Sequence, residues 1–299
     1  MMKHLTAKTK ELVLNSTLEE KISYLRKQKW IPYPQAEKIM AKLEDLKDYP
    51  TVGRMPNLLI VGETNNGKTA LINKFYKKNN PYVREGEYDI VVAPVIVVEA
   101  PAEPDVRSFY NTILELLNAP IIKSENPDFK LRRIISLFKK LQIKLIIIDE
   151  IHHVLAGSPL KQRVFLNVLK QLSNKLMISI VCVGIRDAFN VLQSDSQLAN
   201  RFETMILERW KNNQSLLQLL VNYEALLPLE NPSYLTENSI ASKILAMSDG
   251  LIGEINTILI KAGELALKSG LNKIDHKILD NIDYVSPEDR KKILRRNIL

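Results

Sequence analysis

One stretch of the chain, residues 62–69, constrains the fold more than any other part of the sequence. It fits the phosphate-binding pattern G-x-x-x-x-G-K-[ST], in which backbone N–H groups and the positive end of the following helix bind phosphates. Residues 58–61 are apolar and predict a strand, whereas residues 70–75 predict a helix. This order of strand, loop and helix is the context that the pattern requires, so the sequence predicts an α/β domain that binds a nucleotide.

The loop gives several side chains separate roles. Gly62 and Gly67 permit backbone conformations and a close approach that a side chain would obstruct. Lys68 is expected to reach the β- and γ-phosphates of ATP, and Thr69 is expected to bind Mg²⁺ through its hydroxyl group. The predicted nucleotide-binding residues of this segment are Gly62, Glu63, Thr64, Asn65, Asn66, Gly67, Lys68, Thr69 and Ala70.

An acidic motif further along the chain completes the predicted site. Residues 145–148 form an apolar, isoleucine-rich run typical of a buried parallel strand, and Asp149 and Glu150 follow it. A carboxylate at the C-terminal end of such a strand faces the crevice where ligands bind in open α/β sheets. We expect Asp149 to contribute to nucleotide binding by holding Mg²⁺, and Glu150 to orient and polarise the attacking water. Lys68 and Glu150 are therefore candidate catalytic residues.

Composition narrows the classes of protein that the chain can belong to. Its formal net charge of +8 favours an anionic partner, with nucleic acid as the first candidate. The single cysteine, Cys182, cannot form an internal disulfide. No apolar run approaches the roughly 18 residues that a membrane helix needs, and residues 1–29 lack the apolar region of a signal peptide. We therefore expect a cytoplasmic protein with no membrane partner.

The hydrophobic pattern predicts three regions. Residues 1–50 are expected to form an N-terminal helical segment. Residues 51–210 alternate strands and helices and predict a parallel five-stranded sheet in a three-layer αβα domain, with residues 90–98 as its second strand and Pro94 as an interruption or an edge position. Residues 211–299 predict a small helical lid that ends in a basic tail, for which a solvated segment and a recruitment peptide are the two interpretations.

Beyond these motifs, the sequence resembles the TniB/TnsC group of AAA+ ATPases, which are transposition regulators related to MuB. The resemblance extends from about residue 30 to residue 270. It is carried by RMPNLLIVG at 54–62, NNGKT at 65–69, DEIH at 149–152, LAGSP at 155–159, LANRF at 198–202, LPL at 227–229 and SDGLIGEI at 248–255.

The resemblance implies an ATP-dependent regulator of DNA transposition with slow hydrolysis. Such proteins bind double-stranded DNA without sequence specificity, oligomerise on it as rings or helical filaments, and link a target-site selector protein to a transposase, in transposons that include CRISPR-associated ones. Arg201 matches their catalytic arginine finger, which acts on the ATP site of a neighbouring copy.

Two positions depart from the pattern of this family: Ile185 replaces a sensor threonine, and residues 250–254 lack a second sensor arginine. Both departures concern the rate of hydrolysis more than binding.

The resemblance also suggests where DNA binds. In similar proteins the contacts come from loops that flank the helix after the second strand, and contacts of this kind go to phosphates and are salt-sensitive. The corresponding basic residues in this sequence are Arg107, Lys123, Lys130, Arg132 and Arg133.

Other functions compete with this interpretation. Residues 149–152 also fit a D-E-x-H helicase box, but residues 211–299 are too short for the second domain that a helicase needs. His152 and His153 are unlike a metal pair because no further histidine or cysteine cluster accompanies them. Three alternatives stay open: a helicase-loader-like DNA ATPase, a small-molecule P-loop kinase, and an ATP-gated scaffold that never hydrolyses ATP. An ATPase assay with and without DNA separates the scaffold and the kinase from a slow, DNA-linked ATPase.

Overall fold

The computed structural model describes residues 2–27, 29–193 and 195–298. The described residues form two compact units: Gln35–Leu207, and the residues up to Pro34 together with those from Glu208 onward. The expected boundaries at residues 50 and 210 differ from this division. The difference arises because the helix Pro34–Lys47 is tied to the sheet unit, where Lys42 forms a 2.8 Å ion pair with Glu203.

The sheet unit contains, in its described part, a five-stranded parallel sheet, which confirms the predicted fold class. The strands of the chain are β1 (Asn57–Gly62), β2 (Tyr82–Arg84), β3 (Ile90–Val92), β4 (Val95–Glu99), β5 (Leu145–Asp149), β6 (Ser179–Gly184) and β7 (Phe202–Leu207). The main sheet has the order β4-β5-β6-β1-β7, which places β1 and β5 on either side of β6. The carboxyl ends of these strands therefore meet at one edge of the sheet.

The predicted strand over residues 90–98 is wrong as a single element. It splits at Pro94 into β3, which pairs antiparallel with β2 in a separate hairpin, and β4, which pairs with β5 in the main sheet. Proline cannot donate a backbone hydrogen bond, and the carbonyl of Pro94 instead accepts from the N–H groups of Lys144 and Leu145. Both expectations for Pro94 are confirmed: it interrupts the apolar run, and β4 is an edge strand of the sheet.

Helices flank the sheet. They are α3 (Pro34–Lys47), α4 (Lys68–Lys78), α5 (Val106–Leu116), α6 (Pro127–Lys140), a 3-10 helix (Ile151–Ala156), α7 (Pro159–Leu176), α8 (Asp187–Gln193) and α9 (Ser196–Ala199). Their starts follow from the sequence: Asn126 caps α6 ahead of Pro127, and Ser158 caps α7 ahead of Pro159. Buried apolar side chains from α5, α6 and α7 pack with those of the strands into the main core.

The second unit is built from helices at both ends of the chain. They are α1 (Ala7–Asn15), α2 (Leu18–Arg26), α10 (Gln214–Glu224), α11 (Asn238–Ser248), α12 (Ile252–Lys268), α13 (His276–Asn281) and α14 (Pro287–Ile298). Arg26 on α2 binds both carboxylate oxygens of Glu264 on α12, at 2.7 and 2.8 Å. Gly263 lets Leu25 approach, since a Cβ at that glycine would lie 3.1 Å from a Leu25 methyl group.

The basic C-terminal segment is not simply a solvated tail. Residues 287–298 form α14, and the guanidinium group of Arg290 pairs with the buried carboxylate of Glu254. The hydroxyl group of Tyr284 donates to the same carboxylate at 2.6 Å. Sequence composition missed this anchor because Glu254 and Arg290 are far apart along the chain. Among the helices of the described residues, none is both long and apolar enough to cross a membrane.

Candidate nucleotide-binding site

The phosphate-binding loop joins the end of β1 to the start of α4. Asn65 and Gly67 adopt left-handed backbone conformations, with φ of 62° and 83°. At Gly62 a Cβ would lie only 3.0 Å from the Cβ of Leu207 and 3.4 Å from the Cγ of Lys68. The two glycines of the motif are therefore required by local geometry, as the sequence predicts.

Asn66 fixes the loop against β7. Its side-chain N–H donates to the carbonyl of Leu207 at 2.7 Å, and its backbone N–H donates to the carbonyl of Glu63 at 3.2 Å. The residue is 2% exposed. Asn66 thus helps to hold the loop in shape, and its side chain faces the sheet rather than open solvent.

Lys68 lies inside the loop that it would serve. Its ammonium group donates to the carbonyls of Gly62 and Glu63, each at 2.9 Å, and the residue is 6% exposed. Burial lowers the pKa of Lys68, and the nearby carboxylates of Glu150, Asp149 and Glu63 oppose that shift. A phosphate that replaced the two carbonyls as acceptor would supply the negative charge that a buried ammonium group favours.

Thr69 and Asp149 meet at the position expected for Mg²⁺. The Thr69 hydroxyl group donates to Oδ2 of Asp149 at 3.3 Å, while Oδ1 of Asp149 accepts from the N–H of Glu150 at 2.9 Å. Neighbouring ligands of an octahedral Mg²⁺ ion, each about 2.1 Å from it, lie about 3 Å apart. A hydroxyl and a carboxylate oxygen at this separation fit that ion.

Glu150 follows β5 in a left-handed conformation and lies beside a pair of histidines. Its Oε2 atom is 3.0 Å from Nδ1 of His152, a contact without the alignment of a hydrogen bond. The rings of His152 and His153 are 4.9 Å apart, and ligand-type atoms of all three residues lie within 4.8 Å of one another. Burial lowers the pKa of His152 more than Glu150 raises it. The sequence did not predict this contact, although the spacing Glu-x-His after the strand could have indicated it.

Arg201 lies at the opposite end of the sheet from the phosphate-binding loop. Phe202 pairs in register with Asn57, and Leu207 pairs with Gly62. A strand rises about 3.3 Å per residue, so the start of β7 lies about 17 Å from the loop. The guanidinium group of Arg201 donates to the side-chain oxygen of Asn174 on α7 at 2.7 Å. The structure therefore does not bring Arg201 to the nucleotide site of its own copy.

The strand β6 places a second arginine beside the loop. Val61 pairs in register with Gly184, so the residues after Gly184 lie next to the phosphate-binding loop. Ile185 offers no polar group there, but a guanidinium nitrogen of Arg186 lies 3.9 Å from the carboxylate of Glu63. The sequence signal for this residue is a basic side chain at the second position after the end of β6.

The predicted DNA-binding residues fall into two groups. Lys130 is fully buried: its ammonium group donates to the carbonyl of Ile122 at 2.9 Å and lies 3.6 Å from Glu125, so its prediction as a phosphate contact is wrong. Arg133 uses its guanidinium group within the chain, because that group pairs with the carboxylate of Glu125 and donates to the carbonyl of Pro120. The side chains that remain exposed are those of Arg107, Lys123 and Arg132.

Comparisons with known proteins identify the fold. A family model described as "Bacterial TniB protein" matches residues 21–212. The search of curated protein sequences found no match.

Among solved structures, the Aeropyrum pernix Orc1 protein in complex with DNA is 16% identical, with a TM-score of 0.60 over 92% of this chain and 69% of that chain. The Aeropyrum pernix ORC2 protein, in its ADPNP-ADP complexes, is 14% identical, with a TM-score of 0.60 over 90% and 73%. Cdc6p from Pyrobaculum aerophilum is 16% identical, with a TM-score of 0.57 over 91% and 73%. At these identities the structural similarity shows an AAA+ fold.

Proposed function

The chain belongs to the TniB family of AAA+ ATPases, and from this premise we propose that it assembles on double-stranded DNA in the presence of ATP and regulates DNA transposition. One observation carries the proposal. Lys68, Thr69, Asp149 and Glu150 converge on one site, while Arg201 lies at the far end of the same sheet. Arg201 of a second copy can supply the catalytic arginine that acts on such a site from outside.

Within one copy the loop binds ATP and the acidic motif prepares hydrolysis. Gly62, Gly67 and the start of α4 direct backbone N–H groups toward the phosphates, and Lys68 adds a positive charge. Thr69 and Asp149 hold Mg²⁺, which neutralises charge on the phosphates. Glu150 orients the attacking water and takes its proton. Arg186 contributes charge at the mouth of the loop.

Between copies, Arg201 completes the site. Its guanidinium group stabilises the charge that develops on the transferring phosphoryl group of the neighbour's ATP. In one copy this guanidinium group donates to the side-chain oxygen of Asn174 on α7. Because each copy both offers and needs this arginine, the contact is heterologous and generates either a ring or a helical filament. Assembly and hydrolysis are then coupled through ATP.

The proposed DNA surface consists of Arg107, Lys123 and Arg132. All three are exposed, and the chain carries a net charge of +8. Contacts from such side chains go to phosphates and carry no sequence information, so binding is non-specific and weakens steeply with salt. The Aeropyrum pernix Orc1 protein, a structural neighbour, was solved in complex with DNA, which supports DNA as the partner of this fold. A target-site selector protein and a transposase are the further partners that family membership suggests.

Binding of a labelled DNA duplex, with and without ATP, tests the proposal. Wild-type protein should bind only with ATP, and Lys68→Ala should not bind because it cannot retain the nucleotide. The matched control is Lys74→Ala, which removes an exposed lysine from the same helix and should bind like wild type. Arg107→Ala combined with Lys123→Ala should weaken binding to every sequence alike. Equal binding by wild type with and without ATP, or by the Lys68→Ala protein, would contradict the proposal.

A further inference from the structure

The loop before α6 is held in place by two basic side chains, the buried Lys130 and the partly buried Arg133. Lys130 donates to the carbonyl of Ile122, Arg133 donates to the carbonyl of Pro120, and both approach the carboxylate of Glu125. These bonds bridge the helix to the loop that precedes it. Lys130 and Arg133 thus position the exposed residues around them instead of contacting a ligand themselves.

Several side chains next to these two anchors project outward, on the first turns of α6 and on the loop before it. Phe129 lies in the first turn of α6 and is 60% exposed, which is unusual for a phenylalanine. The guanidinium group of Arg132 lies 5.5 Å from the centre of its ring, in a cation–π arrangement. Ile122 and Lys123, on the anchored loop, are exposed as well. A rigid part of the protein therefore presents an aromatic ring among basic side chains.

We propose that Phe129 is a DNA-contacting residue, whose ring packs against deoxyribose and base edges while Arg132 beside it neutralises a phosphate. The inference rests on the proposed function, since it assigns a contact within the same DNA surface. Basic side chains with an interleaved aromatic ring suit duplex DNA, which offers phosphates next to the apolar surface of its sugars and of the minor groove. A protein partner would be expected to supply carboxylates to pair with Lys123 and Arg132, and is the competing occupant.

The two side chains differ in how salt affects their contribution. A phosphate contact releases counterions, so Arg132 should add about 0.9 to the slope of log affinity against log salt concentration for each copy. An apolar contact releases none, so the contribution of Phe129 should be the same at low and at high salt. Loss of one aromatic contact with a base costs on the order of tenfold in affinity.

The experiment measures affinity for a labelled duplex across a series of salt concentrations, with a non-hydrolysable ATP analogue present. The variants are Phe129→Ala, Phe129→Trp and Arg132→Ala. The matched control is Tyr234→Ala, because Tyr234 is also 60% exposed but lies in the helical unit. Thermal melting and sedimentation without DNA establish that each variant folds and self-assembles like wild type.

Phe129→Ala should lose affinity about tenfold at every salt concentration with an unchanged slope, Phe129→Trp should keep the affinity, and Tyr234→Ala should match wild type. Arg132→Ala should reduce the slope. The inference is overturned if Phe129→Ala binds like the control, if its slope falls like that of Arg132→Ala, or if it self-associates less than wild type does without DNA, which would assign the ring to a protein contact. Wild-type protein that binds no duplex would instead overturn the proposed function.

Discussion

Glu150 is the residue on which hydrolysis should depend most directly. It directly follows Asp149 at the end of β5, and its carboxylate lies near enough to Lys68 to oppose the lowering of that residue's pKa. Glu150→Gln keeps the shape but cannot accept a proton. We expect ATP binding to persist while the hydrolysis rate falls by about 10²- to 10⁴-fold, and DNA assemblies to last longer. Steady-state turnover and equilibrium ATP binding measure the two effects, and normal turnover would place the water-activating role elsewhere.

His152 should make hydrolysis sensitive to acid. Burial, assisted by His153 and Lys68, lowers the pKa of His152, while Glu150 and Asp187 oppose the shift, so its ring is neutral at pH 7. As the pH falls below the usual histidine range near 6.5, the ring gains a proton in the folded protein later than in the unfolded chain, and a cation then lies 3.0 Å from the Glu150 carboxylate. That charge pairs with the carboxylate and reduces its capacity to accept a proton.

The turnover number of wild type should therefore decline on acidification, and His152→Asn should retain more of its neutral-pH rate at low pH. His153→Asn is the matched control, because the Nδ1 atom of His153 faces the carbonyl of Ala100 at 3.5 Å instead. Identical acid limbs in wild type and His152→Asn would show that His152 does not modulate Glu150.

The residues of the site were predictable where a motif fixes them along the chain. Lys68 and Thr69 follow from the loop pattern, and Asp149 from a buried strand with an acidic end. The contact between Asn66 and Leu207 was not predictable, because it depends on which strand lies beside β1. The burial of Lys130 was not predictable for a similar reason. Its position on α6 turns the side chain inward, and only the structure shows that its ammonium group donates to the carbonyl of Ile122.

At the scale of elements, Glu224 fixes the segment that follows α10. It is 8% exposed, and its two carboxylate oxygens accept bonds from the N–H groups of Ser233, Tyr234 and Leu235 at 2.7, 3.0 and 3.0 Å. Glu224→Gln turns an NH₂ group toward at least one of these donors. The free energy of unfolding should fall by about 1–3 kcal/mol.

Urea denaturation of the full chain measures this change, with Glu230→Gln as the control at an exposed glutamate in the same segment. A loss no larger than that of the control would show that the segment does not depend on the Glu224 carboxylate.

Strands and helices followed from the sequence where local signals agree. Ser158 ahead of Pro159 is a sequence signal for the start of α7, and the proline at position 94 marks the break between β3 and β4. The α14 helix was not predicted, because the basic composition of residues 287–298 indicates their charge but not which residues elsewhere in the chain they contact. Its anchor, Glu254, is supplied by α12.

At the scale of the molecule, the division into units was the least predictable feature. The helices α1 and α2 pack with the C-terminal helices, and the N–H of Thr6 donates to the carbonyl of Ala225 at 3.0 Å. Contacts between the two ends of a chain leave no periodic signal in either end. The sequence pattern therefore predicts residues 1–50 as a segment of their own.

Completion of each nucleotide site by Arg201 of a neighbouring copy is tested most directly by mixing two inactive variants on DNA. Arg201→Ala retains its loop, and Lys68→Ala retains its arginine, so neither should hydrolyse ATP alone. When the two variants are mixed in equal amounts and assemble at random, about a quarter of the contacts between neighbouring copies join an intact loop to an intact arginine. We therefore expect hydrolysis to recover to about a quarter of the wild-type rate. No recovery at any ratio, with co-assembly demonstrated by sedimentation, would contradict a site shared between copies.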